Sequence, residues 1–174
     1  MDFSLFLITF LMVILTISGV SKLLNLSSFR ETLLELGVFK KLAAFISFGV
    51  PLLELLIVIS LVFKQTQYIG LSTLLILCVA FTCVTLYSIK LSKKIKCNCF
   101  GSLSDEKIGL NTFTHIILLI TPTFYILFND KRYILNHPLT EVGYAILLNI
   151  GLVMTYLLIS SLKNYRKAIK INFF

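Results

Sequence analysis

Long apolar stretches alternate with short polar ones along this chain. Five blocks with few charges run from Phe3 to about Val20, from about Leu42 to Phe63, from Tyr68 to Ile89, from about Ile108 to Phe128 and from Val142 to Leu162. Each approaches the roughly 20 residues needed to cross a hydrocarbon core about 30 Å thick. None alternates apolar with polar residues as a barrel strand does, and an isolated strand in lipid leaves backbone N–H and C=O groups unsatisfied. The pattern therefore predicts transmembrane helices. No Lys or Arg precedes the first block and no small-x-small pattern follows it, so it is expected to be a retained span rather than a signal peptide.

A different rhythm separates the first two blocks. In SSFRETLLELG, Ser28 is followed three residues later by Glu31, a capping-box spacing, and Gly37 stands where a helix would stop. Phe29, Leu33 and Leu36 recur at helical spacing with Arg30, Glu31 and Glu35 mostly on the other side, which predicts a short interfacial helix. There is no internal repeat and no Gly/Ser-rich or Pro-rich linker. The expectation is a single membrane domain over residues 1–174: an all-α integral membrane protein with a four-helix transmembrane core, a fifth C-terminal span at about 142–162 and a basic tail at 163–174.

Composition supports the membrane reading. Hydrophobic residues make up 57% of the chain and charged residues 14%, with a mean hydropathy of +0.95, too apolar for a domain that must cover itself with polar groups. The net charge of +8 could suggest nucleic acid, but the basic residues flank the spans and no nucleic-acid motif is present. Topology accounts for them better. With the amino terminus outside, the inner segments carry Lys22, Arg30, Lys40, Lys41, Lys90, Lys93, Lys94, Lys96, Lys107, Lys163, Arg166, Lys167 and Lys170, against only Lys64, Lys131 and Arg132 outside. The positive-inside rule then predicts five spans, N-out and C-in.

Four cysteines form two pairs of different character. Cys78 and Cys83 lie inside the third block, five residues apart, which sets them about 140° apart around a straight helix and unable to pair readily with each other. Each reads first as a small buried hydrophobe, with a thiol relay as the functional alternative, Cys83 being nearer the second pair. That second pair, Cys97 and Cys99 in KKIKCNCFGSLSDEK, follows four lysines in the seven positions before it, including Lys94 and Lys96. Nearby positive charge favours the thiolate, the nucleophile of disulfide exchange. A C-x-C bridge closes a small, strained and readily reduced ring. Spacing alone leaves two readings open, a redox pair or an exposed turn with idle thiols. A metal site would need three or four ligands, and His115 and His137 fall in segments that cannot both supply them.

Glu54, in PLLELLIVIS, is an ionisable group near the middle of the second block, a position that marks a functional or interhelical contact. Lys22 is its nearest basic candidate in the sequence, with snorkelling to the interface as the alternative. Pro51 and Pro122 are expected to kink their helices, and Thr114, Thr121 and Tyr125 are candidate liners of a cavity near the second kink.

Three motifs together, SGVSKL closing the first block, PLLEL in the second and CNCFG after the third, resemble the MauE (methylamine utilisation protein) group of DoxX-like redox-associated membrane proteins. The resemblance covers roughly residues 5 to 128, and C-x-C-F-G is its most specific element. It implies a four-helix core similar in layout to the vitamin K epoxide reductase and quinone-linked disulfide-forming proteins, in a bacterial inner (plasma) membrane. It also implies thiol–disulfide handling for a cysteine-containing exported protein or peptide, alongside a thioredoxin-like partner. On that resemblance Cys97 and Cys99 carry the exchange, Phe100 and Gly101 shape the turn, Glu54 and Lys22 match family polar positions, and a quinone is the candidate electron acceptor. Thr114 and His115 depart from the Arg-Asn expected early in the fourth span, and the fifth span and NYRKAIKINFF tail lie outside the resemblance. Two other functional classes are a non-catalytic membrane partner or stabiliser of an exported protein or transporter, and a transporter built around Glu54. The second is the poorer fit for five spans with one buried carboxylate and no repeat.

Overall fold

A computed structural model describes residues 3–90, 110–128 and 138–172. All the regular structure among these residues is helical: α1 (Phe3–Leu24), α2 (Leu26–Glu35), α3 (Lys40–Val62), α4 (Gln67–Lys90), α5 (Leu110–Phe128) and α6 (Leu139–Asn172). Four helices, α1, α3, α4 and the first part of α6, are long and apolar enough to cross a membrane, while the apolar stretch Ile116–Phe128 of α5 is shorter. This is the arrangement of a multi-pass membrane protein. Large apolar side chains such as Phe45, Phe48, Leu56, Ile69, Ile76, Leu147 and Leu158 point outward. Such a surface suits lipid tails and would be unsupportable in water.

The bundle is organised around α1. Half of its apolar stretch is buried, against 28% for α3 and for α4, because it packs on α3, α5 and α6 while α4 sits on α3 and α5. Leu5, Ile8, Leu11 and Leu15 of α1 meet Ile57 and Leu61 of α3 and Leu71, Leu74 and Cys78 of α4 in the main core. In lipid the drive for this assembly is close packing and interhelical hydrogen bonding rather than removal of apolar surface from water. Small residues let backbones approach. A Cβ on Gly19 would stand 3.3 Å from the Leu55 side chain and from the Pro51 carbonyl, and a Cβ on Gly70 would collide with Ser60 in the α3–α4 hairpin.

The link between α1 and α2 corrects one sequence expectation. Ser28 does not cap α2; the helix starts three residues earlier, after Asn25, with no side-chain cap bond, so the chain bends at Leu24–Asn25 and immediately resumes helix. At the other end the expected stop is present. Gly37 has φ +90°, its N–H bonds the Leu34 carbonyl at 2.9 Å, and the Val38 N–H bonds the Leu33 carbonyl at 3.1 Å. That is a Schellman closure, and Val38 packs on the Phe29, Leu33 and Ala43 cluster that accompanies it. Through this cluster α2 covers the first half of α3, so α2 is part of the bundle.

Outside the first five helices, α6 continues as one helix from the apolar stretch through the basic segment that was expected as a separate tail. It is tied to α1 by Asn149, a fully buried residue whose Nδ2 donates to Thr9 Oγ1 at 2.8 Å and to the Phe6 carbonyl at 3.2 Å. Val153 packs beside this clamp against Val13 and Ile14.

Candidate functional site

Two helices bring polar groups together inside the bundle, and two more cover them with aromatic rings. Glu54 lies about 21 Å along α3 from Lys40 and about 12 Å from Val62, at 1.5 Å per residue. It is 2% exposed. Facing it, Ser18 and Lys22 of α1 are four residues apart and so share one helix face. Lys22 Nζ donates to Ser18 Oγ at 2.9 Å and forms a salt bridge with Glu54 Oε1, and Ser18 Oγ donates to the same oxygen at 3.4 Å. From α2 the Phe29 ring lies 5.8 Å from Nζ, and from α4 the Phe81 ring lies 5.2 Å away. Both rings present a face on which a cation is attracted by the ring quadrupole.

Lys22 therefore does not snorkel, the alternative that its place at the end of a span had left open. It is 2% exposed, with the Phe29 ring carried over it by the turn into α2 and the Phe81 ring of α4 beside it. Gly19 and Pro51 set the approach that makes the pairing possible. The missing side chain at Gly19 lets α1 close on α3 one turn before Lys22, and Pro51 offers its carbonyl to that contact one turn before Glu54. Charges buried in this way cost several kcal/mol each unless matched. Here all the matching falls on one carboxylate oxygen. Among the described residues Glu54 Oε2 is buried with no hydrogen-bond partner.

Cys78 on α4 is 2% exposed and packs in the main core with Ile57 and Leu61 of α3. Cys83 is exposed on the outer side of the same helix, and both are free thiols. The 140° separation read from their spacing thus becomes one thiol inside and one outside. Cys97, Cys99, Phe100, Gly101, Lys94 and Lys96 lie outside the described residues, as does the His137 position. Thr121 and Tyr125 do not line a cavity. Both are exposed, Thr121 bonding the Ile117 carbonyl at 2.8 Å and Tyr125 meeting the Phe3 ring edge-on at 5.3 Å between centroids, while Thr123 is a buried hydroxyl of that helix.

Ser18 and Asn149 were not singled out from the sequence. The four-residue spacing of Ser18 and Lys22 in SGVSK was a usable signal for the first, and a lone amide inside AILLNIGLV was one for the second.

Residues 1–128 match the family model described as methylamine utilisation protein MauE. The chain belongs to the MauE family. Neither a curated protein nor a solved structure matches it. The MauE match spans α1 to α5, and so contains Ser18, Lys22, Glu54, Cys78 and the Cys97–Cys99 motif, whereas α6 and its Asn149 clamp lie beyond it. The polar cluster is thus built wholly from the MauE part of the chain.

Proposed function

We propose that this chain is a membrane thiol–disulfide redox protein that supports disulfide formation or maturation of an exported protein or peptide. Cys97 and Cys99 cycle between dithiol and disulfide and exchange with a thioredoxin-like partner. The observation that carries this reading is the place of CNCFG inside the MauE-matched segment, directly after a run of lysines that favours the thiolate. Exchange needs a thiolate to attack a disulfide sulfur through a mixed disulfide, and a strained C-x-C bridge is a good acceptor of electrons for that step. The methylamine part of the family's description has no counterpart in particular residues here, so the substrate class is a cysteine-containing exported chain.

The membrane arrangement belongs to the same proposal. α1, α3, α4, α5 and α6 all cross the inner (plasma) membrane as one domain, α2 lies at the interface with its apolar face on α3, and the thirteen-to-three bias of basic residues orients the chain N-out and C-in. On that orientation the segment of sequence between α4 and α5, which contains Cys97 and Cys99, faces the inner side. Lys22 is turned onto Ser18, Glu54 and two aromatic rings, so it is not itself offered to the head group of a quinone, the candidate electron acceptor.

Alkylation trapping of Cys97 and Cys99 in cells tests the reaction, and a membrane-impermeant thiol reagent applied to intact cells tests the side. The expected result is a mixed dithiol and disulfide population, with loss of substrate disulfides at normal protein level in Cys97→Ser/Cys99→Ser. Full function of that double variant would overturn the redox reading in favour of a non-catalytic membrane partner, and labelling from outside would overturn the orientation.

A further inference from the structure

We propose that the end of α6, through Lys163, Arg166, Lys167 and Lys170, is a binding site for anionic phospholipid headgroups. The apolar span and the basic segment form one uninterrupted helix, so their rotational register is fixed. The four basic positions are spaced i, i+3, i+4 and i+7 and fall within about 100° of one side. Leu162, Tyr165 and Ile169 fall on a second side, about 120° round the helix, in register with Leu158. Leu158 and Leu162 are exposed, so this second side continues the lipid-facing side of the span. An apolar side beside a basic one is the pattern of an interfacial helix. α1 and α6 run in the same direction, Asn149 meeting Phe6 and Thr9, and Val153 packing with Val13 and Ile14. At equal rise per residue, Leu24, where α1 ends, is level with about residue 164 of α6. The basic stripe therefore begins where α1 stops.

Electrostatics along this segment calls for an anion. Lys163–Arg166, Lys163–Lys167, Arg166–Lys170 and Lys167–Lys170 are all like-charge neighbours on the helix, and no Asp or Glu lies between Val142 and Asn172. Each such pair disfavours the helix, and the helix dipole offsets this only in the last turn, where Lys170 stands. Lipid phosphate is the anion nearest to hand. Lys163 directly follows the apolar run, and Lys170 is about 10 Å further along the axis, against a headgroup layer about 5–8 Å deep on each side of the core. With Leu162, Tyr165 and Ile169 at the acyl boundary, all four basic positions stay near phosphate level, and a basic cluster beside a span attracts anionic lipid there. This goes beyond the orientation bias, which counts charges on one side of the membrane and needs no stripe. It is independent of the redox reading of Cys97 and Cys99 and of which leaflet the segment meets.

The chain contains no Trp, so Tyr165→Trp places a single fluorophore on this segment. The full chain carrying it is reconstituted in phosphatidylcholine vesicles with a minor fraction of brominated phosphatidylglycerol or, in a matched set, of brominated phosphatidylcholine, and quenching is compared. The expected result is a roughly fivefold local enrichment of phosphatidylglycerol at low salt, the scale of one basic residue's attraction to an anionic surface, lost at high salt. Lys163→Gln/Arg166→Gln/Lys167→Gln/Lys170→Gln should bring the ratio to about one, with helicity as the folding control. Lys40→Gln/Lys41→Gln, which removes two exposed basic residues at the start of α3, should leave it unchanged. Should the fourfold variant fail to fold, the salt titration and the Lys40→Gln/Lys41→Gln comparison carry the test. Equal quenching by the two lipids, or a preference that survives the fourfold substitution, overturns the proposal. So does a preference lost equally in Lys40→Gln/Lys41→Gln, which would mark total charge rather than the stripe, and so does displacement of phosphatidylglycerol by heparin at matched ionic strength, which would assign the stripe to a soluble polyanion.

Discussion

Two of the packed faces of α1, toward α3 and toward α6, are held by different chemistry. Toward α3 it presents a lysine bound to a glutamate, with Ser18 beside them; toward α6 it presents Thr9 and the Phe6 carbonyl to a neutral amide. The first face lies wholly within the MauE match, and the second binds a helix outside it. Both are buried polar contacts in an apolar setting, yet they differ in what their loss leaves behind. Removing one ion strands the other in a medium that cannot solvate it, whereas removing an amide leaves a hydroxyl that is still bonded within its own helix, Thr9 to the Leu5 carbonyl at 2.8 Å. A charged contact therefore acts as an all-or-none lock, and a neutral one as a graded clamp.

The strongest way to break this comparison is Lys22→Met, which leaves Glu54 unpaired. It should destabilise the folded bundle by about 3–5 kcal/mol in a denaturation titration of the purified protein. Lys22→Met/Glu54→Leu should restore stability to near that of the parent, because two apolar side chains carry no desolvation cost. A double variant as unstable as the single one would show that the charges are not the lock.

Next in size is Gly19→Val. Its side chain must enter space bounded at 3.3 Å by Leu55 and by a carbonyl that cannot move aside, an overpacking expected to cost about 1–3 kcal/mol in the same titration. On the α6 face, Asn149→Leu should lose only about 0.6 kcal/mol and no more than about 1.7, the range of interhelical hydrogen bonds in membranes. A loss as large as that of Lys22→Met would erase the distinction between the faces. The smallest effect has the opposite sign. A Cβ on Gly151 meets nothing within 4 Å, so Gly151→Ala should raise helix stability by about 0.5–1 kcal/mol, seen as a higher midpoint for loss of helicity.

The span pattern was legible because a helix in lipid must satisfy its own backbone and so announces itself as an uninterrupted apolar run. The boundaries were less so. α1 continues past Val20 to Leu24 and α3 begins at Lys40, since a polar residue is tolerated inside a helix wherever a neighbour covers it. Gly37 was read correctly as a stop because a positive φ is a local property of one residue. Ser28 was misread as a cap because a capping box is also a common spacing inside a helix that has already begun. The candidate site was half visible: Glu54 stood out as a carboxylate in a span, but that Oε1 is bound, and Oε2 has no partner among the described residues, depends on how α1 packs against α3.

By itself the sequence determined the class of protein, the helices, the family motifs and the candidate cysteines, because these follow from runs and spacings along the chain. Only the tertiary structure decided that Lys22 turns inward, that Cys78 and not Cys83 shares the interior with Glu54, and that α6 hangs from α1 by an amide. Those outcomes depend on which faces meet, and helix rotation and overlap are set by packing between segments far apart in the sequence: the bend at Leu24–Asn25 that carries Phe29 over Lys22, and the bare Cα of Gly19 that admits α3.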